Sequence, residues 1–392
     1  LSLSANIPKL YVFSCLKMAL FPMAIITLFW KDHIGLTLTQ ILLLQGVFSL
    51  ATLLMEYPSG YLSDRFGYRF ALNLASIVGL AGWGWYTVAD SFADVLFAEI
   101  LLGISMAFIS GSDAALLFET LRREGREAEY ARYDGRMTGC AQAGEAAGAV
   151  FAGVMYAVWP LFPFVVQIGV WGAGLAVSWS LKEAPTAPAA KRSHLVAAWR
   201  TCRRALFTDR YLRTVILLSA LLGLASFYPV WLIQPYMQET GVPLSWFGPV
   251  WAGANLTVAL FSLLSHRFQF HLGERGMVIL FLLLVVAGYL GLGLVGGVWS
   301  FLFYYLLTAM RGLHGPMLRH RLQQASEREN RASILSLKSL VFRLFFVFSG
   351  PAVGRLADSS GLSFTFVLVG GVLLLTLLWP VLGYLQLVKV HQ

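Results

Sequence analysis

The stretch Gly60-Tyr61-Leu62-Ser63-Asp64-Arg65-Phe66-Gly67-Tyr68-Arg69 decides how the rest of the chain is read. It is a short polar segment wedged between two apolar stretches, near 37 to 59 and 68 to 89. Each is long enough to cross a bilayer, which takes about 20 mostly apolar residues. Working outward, further apolar windows lie near 8 to 30, 93 to 120, 137 to 157 and 161 to 182. A second set follows near 211 to 237, 244 to 266, 276 to 296, 298 to 319, 333 to 352 and 363 to 388. The composition agrees, with 58% of 392 residues hydrophobic and only 12% charged, against roughly 45–50% and about 25% in a soluble domain. An ordinary soluble enzyme is excluded. The expected fold is an all-α membrane protein with twelve transmembrane helices in two six-helix bundles.

The longest hydrophilic stretch separates the two sets. It divides the chain into an amino-terminal bundle over 1-182, a cytoplasmic linker over 183-210 and a carboxy-terminal bundle over 211-392. In the linker Leu195, Trp199, Cys202 and Leu206 recur at helical spacing, with Arg200, Arg203 and Arg204 on another face. That is the pattern of a short amphipathic helix on the membrane surface. With the amino terminus inside, about 23 of the Lys and Arg residues fall in cytoplasmic segments, as the positive-inside rule demands. Both termini are therefore expected in the cytoplasm, and the net charge of +9 reflects topology rather than nucleic-acid binding. The first apolar stretch lacks a small-residue cleavage site and reads as a retained span. Cys15, Cys140 and Cys202 have no metal-ligand or disulfide spacing.

The string from Gly60 to Arg69 resembles the loop signature of the major facilitator superfamily: a Gly, an apolar residue, an Asp followed by a base, a second Gly, then a base. Tyr68 departs from the base usual at its position. A related string, Gly354-Arg355-Leu356-Ala357-Asp358-Ser359-Ser360-Gly361, recurs between the eleventh and twelfth windows, as expected of an internal three-helix repeat. The resemblance implies two bundles rocking about a central cavity in the bacterial inner membrane. It also implies a gating role for Gly60, Asp64, Arg65, Gly67 and Arg69, to which we add Glu119 at the inner end of helix four. In the superfamily the Asp equivalent to Asp64 braces the two halves near the start of helix eleven, here Asn330 to Ser333, with Asn330 or Ser333 as cap. Antiporter members carry Gly-Pro-x-x-Gly-Gly on helix five. This chain has Gly144-Glu145-Ala146-Ala147-Gly148-Ala149, which lacks the Pro and the second Gly and still permits close helix packing.

Ionisable side chains at mid-bilayer cost at least about 2.5–3.5 kcal/mol, so each should face a cavity or a partner. At 1.5 Å per residue, Lys17 on helix one, Asp113 on helix four and Glu145 on helix five all lie roughly 12 Å from the cytoplasmic ends. Lys17 is expected to pair with Asp113 or Glu145, the other carboxylate being left to carry a proton; the bland alternative is that Lys17 snorkels and the carboxylates staple helices. The second half is cationic, with Arg311 and His314 on helix ten and Lys338 and Arg343 on helix eleven. Arg343, roughly 15 Å deep, is the expected anchor for an anionic or zwitterionic substrate, with Arg311 either assisting or forming part of the rim. Pro22 should interrupt helix one, and Pro229 and Pro235 helix seven. Around Pro229, Tyr228, Trp231 and Gln234 suggest an aromatic wall with a polar handle.

His266 and His314 have no second ligand at i+4, so no metal is expected. No cofactor is expected either. With no G-x-x-x-x-G-K-[ST] phosphate loop and no G-x-S-x-G or H-E-x-x-H string, the chain reads as neither an ATPase nor an enzyme of those classes. The leading expectation is a monomeric secondary active transporter, proton-coupled and exporting a small amphipathic compound. Two alternatives stay open: uptake of an anionic or zwitterionic metabolite, and a non-transporting receptor or scaffold on a transporter fold.

Overall fold

The computed structural model describes residues 3–183, 200–327 and 330–390. The Leu195 to Trp199 part of the expected amphipathic helix lies outside the described residues. In the first half the helices are α1 Asn6–Met18, α2 Leu38–Phe66, α3 Tyr68–Trp85, α4 Phe92–Ile109, α5 Ser112–Arg123, α6 Tyr130–Val150, α7 Ala152–Val158 and α8 Phe162–Ser180. In the second they are α9 Arg210–Glu239, α10 Phe247–Leu294, α11 Leu302–Gln324, α12 Arg331–Ser360 and α13 Leu362–Val390. Among the described residues, seven spans are long and apolar enough to cross a membrane by length and composition.

Local chemistry sets several boundaries. Ser91 opens α4 by accepting from Asp94 N at 3.3 Å and donating to the Asp94 carboxylate at 2.5 Å, a capping box in miniature. Asp209 caps α9 by accepting from Leu212 N at 2.9 Å. Gly273, at φ 64 and ψ −177, breaks α10, and only a residue without Cβ takes that geometry at no cost.

Three expectations about helix continuity meet different outcomes. The first apolar window is broken where Pro22 predicts: α1 stops at Met18, Ala19 has ψ 73, and helix resumes at Ile26. Pro229 and Pro235, by contrast, lie inside the unbroken α9. Its residues from Tyr228 to Met237 are all buried, and packing on every side holds the helix where single N–H groups are missing. Helix four is split at Ser110–Gly111, with Gly111 at φ 86, so a new helix begins at Ser112.

The chain divides into two compact units. One comprises Leu1–Leu36, Leu43–Ala190 and Pro243–Ala252; the other comprises Thr37–Leu42, Lys191–Val242 and Gly253–Gln392. In the first, α3 packs on α4 and α8, and α1 on α6 and α8. Buried Asn6 links the ends of this unit: its Oδ1 accepts from Lys182 N at 2.9 Å and its Nδ2 donates to Lys182 O at 2.8 Å. In the second, α9 is the central post, flanked by α11, α12 and α13. Glu274, just past the α10 break, pairs with Arg321 and accepts from the Tyr384 hydroxyl at 2.7 Å, tying α10, α11 and α13 together.

Candidate functional site

In the first unit the Lys17 ammonium pairs with Asp113 Oδ2, and the two side chains are 16% and 9% exposed. The helix break explains why the acid sits there. Asp113 occupies the first turn of α5, where free backbone N–H groups favour an anion, and its Oδ1 accepts from Ala114 N at 2.7 Å. On the other side, α1 ends one residue beyond Lys17, and the freed Phe21 N donates to Gln167 Oε1 at 2.9 Å. Glu145 is half-buried on α6; Lys17's partner is Asp113. The small residues of α6 supply the approach. A methyl group at Gly144 would overlap the Cys15 carbonyl, and one at Gly148 would stand 2.9 Å from Leu20 N.

The loop string has a different arrangement from the one its motif suggests. Gly60 lies within continuous α2 with open space beside it. Gly67, at φ 99, makes the turn between α2 and α3. The cap of α3 is Glu183, which accepts from Tyr68 N and Arg69 N at 2.9 Å each. Burial pushes the Glu183 carboxyl up, against the pull of these backbone N–H groups and the Arg69 charge. Arg69 also donates to Trp179 O at 2.7 Å, and Arg65 lies over the Phe66 ring at 5.5 Å. Asp64 makes no hydrogen bond or ion pair among the described residues, while Glu119 pairs with Arg122 at 2.9 Å. Asn330 stands at the amino end of α12 without a side-chain cap; instead it accepts from Thr201 Oγ1 and donates to Glu327 Oε2, both at 2.9 Å.

The second unit holds a cavity of about 550 Å³. Arg311, Arg319 and Lys338 line it together with His314, four serines and the rings of Phe227 and Phe342. No carboxylate is among its lining residues, and the three cations make no hydrogen bond or ion pair with a described residue. Its fourth potential cation, His314, is tied by Nδ1 to Met310 O at 3.0 Å. Of the residues expected to hold substrate, Arg311 lines this cavity. Arg343 lies a turn past Ser339, whose hydroxyl its Nε approaches at 3.4 Å. Tyr228 is buried against Phe346 with its hydroxyl 2.5 Å from Ser349 Oγ, and Trp231 and Gln234 are buried further along α9. The helical turn accounts for this: Ser219, Gly223 and Phe227 share the cavity face, and Tyr228 is rotated about 100° away.

Sequence reasoning passed over two features. The split at Gly111 was signalled by the run Ser110-Gly111-Ser112-Asp113, a turn followed by an acid. Glu99, 4% exposed on α4, carries no sequence signal beyond being an acid in an apolar window.

Long apolar helices in two units, an ion pair at the broken ends of two helices and a cationic cavity among the spans define a multi-pass membrane protein of the transport class. The chain belongs to the Major Facilitator Superfamily, whose sequence pattern matches residues 10–344. It is 24% identical over 409 residues to the uncharacterized MFS-type transporter YxaM of Bacillus subtilis strain 168, covering 97% of this chain and 96% of that protein. Among solved structures it resembles the nucleoside transporter NupG, with a TM-score of 0.78 and 10% identity over 96% of this chain and 98% of the other. A bacterial homologue of the lysosomal transporter Spinster gives 0.76 at 15% identity, over 99% and 98%. A POT family transporter in complex with 5-aminolevulinic acid gives 0.77 at 13%, over 97% and 96%. These likenesses establish the fold. Family membership makes a small molecule the substrate and places the chain in a membrane.

Proposed function

We propose that the protein is a proton-coupled secondary transporter, working by alternating access, whose substrate is a small amphipathic organic anion. The observation that carries the anion is the cluster of Arg311, Arg319 and Lys338 in one cavity with no carboxylate lining it. Uncompensated like charges in a low-dielectric setting are costly to hold together, and an anionic ligand offsets that cost. Phe227 and Phe342 add an apolar wall for the remainder of the molecule. Lys17 and Asp113 are the proton-coupling pair, with Glu145 on α6 as a further proton-carrying group, since a pair broken and remade during rocking loads and releases a proton. The gating strings around Asp64 and Asp358 close alternate faces. The chain functions as a monomer of twelve spans in the bacterial inner membrane, with both termini cytoplasmic.

Melting of the purified protein with an aromatic carboxylate, its methyl ester and the matching amine tests the substrate class. Stabilisation by the carboxylate alone is expected; stabilisation by the ester or amine to the same degree rejects the anion. In liposomes a trapped pH dye should report proton movement on adding the carboxylate. Export is the direction we assign: a deletion strain becomes sensitive to such amphiphiles. Uptake is the second reading, favoured by the same three cations, and would show as loss of growth on an anionic nutrient.

A further inference from the structure

Glu99 lies on α4 with 4% of its surface exposed. Its Oε2 accepts from Gln45 Nε2 of α2 at 2.9 Å, and its Oε1 accepts from the hydroxyl of Tyr86, just past α3, at 2.5 Å. Three segments of the first unit therefore converge on one carboxyl, and neither donor carries a charge. Around them is a wall of rings: Tyr86 stacks on Phe164 at 5.1 Å and on Trp83 at 5.6 Å, with Phe29 edge-on at 6.3 Å.

Tyr86 is the titratable group that faces the carboxyl. Along α2 the next charge is Glu56, about 16 Å from Gln45 by helical rise. On α3 the titratable groups Tyr68 and Arg69 are at the far end, on α4 itself Asp94 sits in the first turn, and Asp113 on α5 is paired with Lys17. His33 stacks on Phe29 and is one ring removed from Tyr86.

Both carboxyl oxygens keep a hydrogen bond in either protonation state. Ionised, Glu99 accepts from both neighbours. Protonated, it donates its hydrogen to Tyr86 Oη, which can accept as well as donate, while its carbonyl oxygen goes on accepting from Gln45. A proton can thus enter or leave with both carboxyl oxygens still hydrogen-bonded, whereas Asp113 trades a cation whenever it changes state.

We propose that Glu99 is a reversible proton-binding site, separate from the Lys17–Asp113 pair, with Tyr86 and Gln45 as its positioning residues. One solvent proton converts the carboxylate to a carboxylic acid, and Tyr86 turns from donor to acceptor. Because the group is buried, exchange waits on a conformational change that wets it. That tie to the transport cycle rests on the proton-coupled reading above; the site itself does not.

Infrared difference spectra of the full chain in lipid, titrated across the pH range that sustains transport in H2O and D2O, test this directly. A protonated-carboxyl carbonyl stretch should appear as pH is lowered, shift in D2O, survive in Asp113→Asn and Glu145→Gln, and vanish in Glu99→Gln. Tyr86→Phe should retain the band at a shifted frequency, which gives a readout even if Glu99→Gln folds poorly. A band unchanged in Glu99→Gln and Tyr86→Phe, or no band in the wild type, overturns the proposal. A band that behaves as expected in a protein moving no protons with the carboxylate probe would reject the coupling and leave the site.

Discussion

The carboxylate of Glu183 occupies the space that a side chain on Gly67 would need, and from there it binds the amino end of α3 through Tyr68 N and Arg69 N at 2.9 Å. The turn glycine and the acid three residues past α8 are therefore one device. Gly67→Ala meets both the left-handed backbone, costing about 1–3 kcal/mol, and a displaced cap. Glu183→Ala loses the cap alone, about 1 kcal/mol. Thermal melting in detergent should rank Gly67→Ala below Glu183→Ala, and the double variant should fall short of additive. Strict additivity would mean the two residues act independently.

Asp358, in the repeated string, accepts from Leu38 N at 2.8 Å, Thr39 N at 2.9 Å and Thr39 Oγ1 at 2.6 Å. Gly354 lets the chains approach, for a methyl there would stand 2.6 Å from Leu38 O. Asp358→Ala should cost about 1–2 kcal/mol at the start of α2. Hydrogen exchange of the Leu38 and Thr39 amides is the measurement, with roughly tenfold faster exchange expected; unaltered protection would remove Asp358 from this role.

Lys17→Met leaves the Asp113 carboxylate buried without its cation, a loss of about 3–5 kcal/mol for a broken pair. Lys17→Met with Asp113→Leu should regain most of that in denaturation measurements. Asp113→Asn should flatten the dependence of carboxylate-driven proton movement on pH, and a profile identical to wild type would exclude Asp113 from coupling.

Arg311 lines the cationic cavity and Arg343 is outside its lining. A charge-assisted hydrogen bond to a ligand is worth about 1.5–3 kcal/mol. Arg311→Ala and Lys338→Ala should therefore weaken binding of an aromatic carboxylate by about 10- to 100-fold, while Arg343→Ala leaves the Kd as it was. Calorimetric titration distinguishes the two sets, and the reverse ranking would return the anchor to Arg343.

At Gly144 the obstacle to a methyl group is the Cys15 carbonyl, which is backbone and has no rotamer to adopt. Gly144→Ala should cost about 1–3 kcal/mol by overpacking. Gly139, with nothing within 4 Å of its would-be Cβ, should tolerate Ala. Expression and melting of the pair check this, and equal tolerance would argue that α1 and α6 are not in tight contact.

Some of this was readable from the residues themselves. Apolar length and the near absence of charge dictate spans, because a bilayer penalises each exposed polar group wherever the helix later packs. The pattern around Asp64 is local in sequence, so it pointed to the superfamily without any knowledge of contacts. Lys17 could be assigned a carboxylate partner because charges at one depth must find each other, yet the choice of Asp113 over Glu145 depends on the break at Gly111, which turns a helix amino terminus toward the acid. Likewise Pro229 was expected to break its helix, and packing around the buried Tyr228–Met237 stretch of α9 overrode it. Glu183 meeting Gly67, Asp358 meeting Leu38, Glu99 meeting Gln45 and Tyr86, and the gathering of Arg311, Arg319 and Lys338 link residues from separate helices. Which side chains meet across helices depends on rotation and separation, and a single sequence specifies neither until the helices are packed.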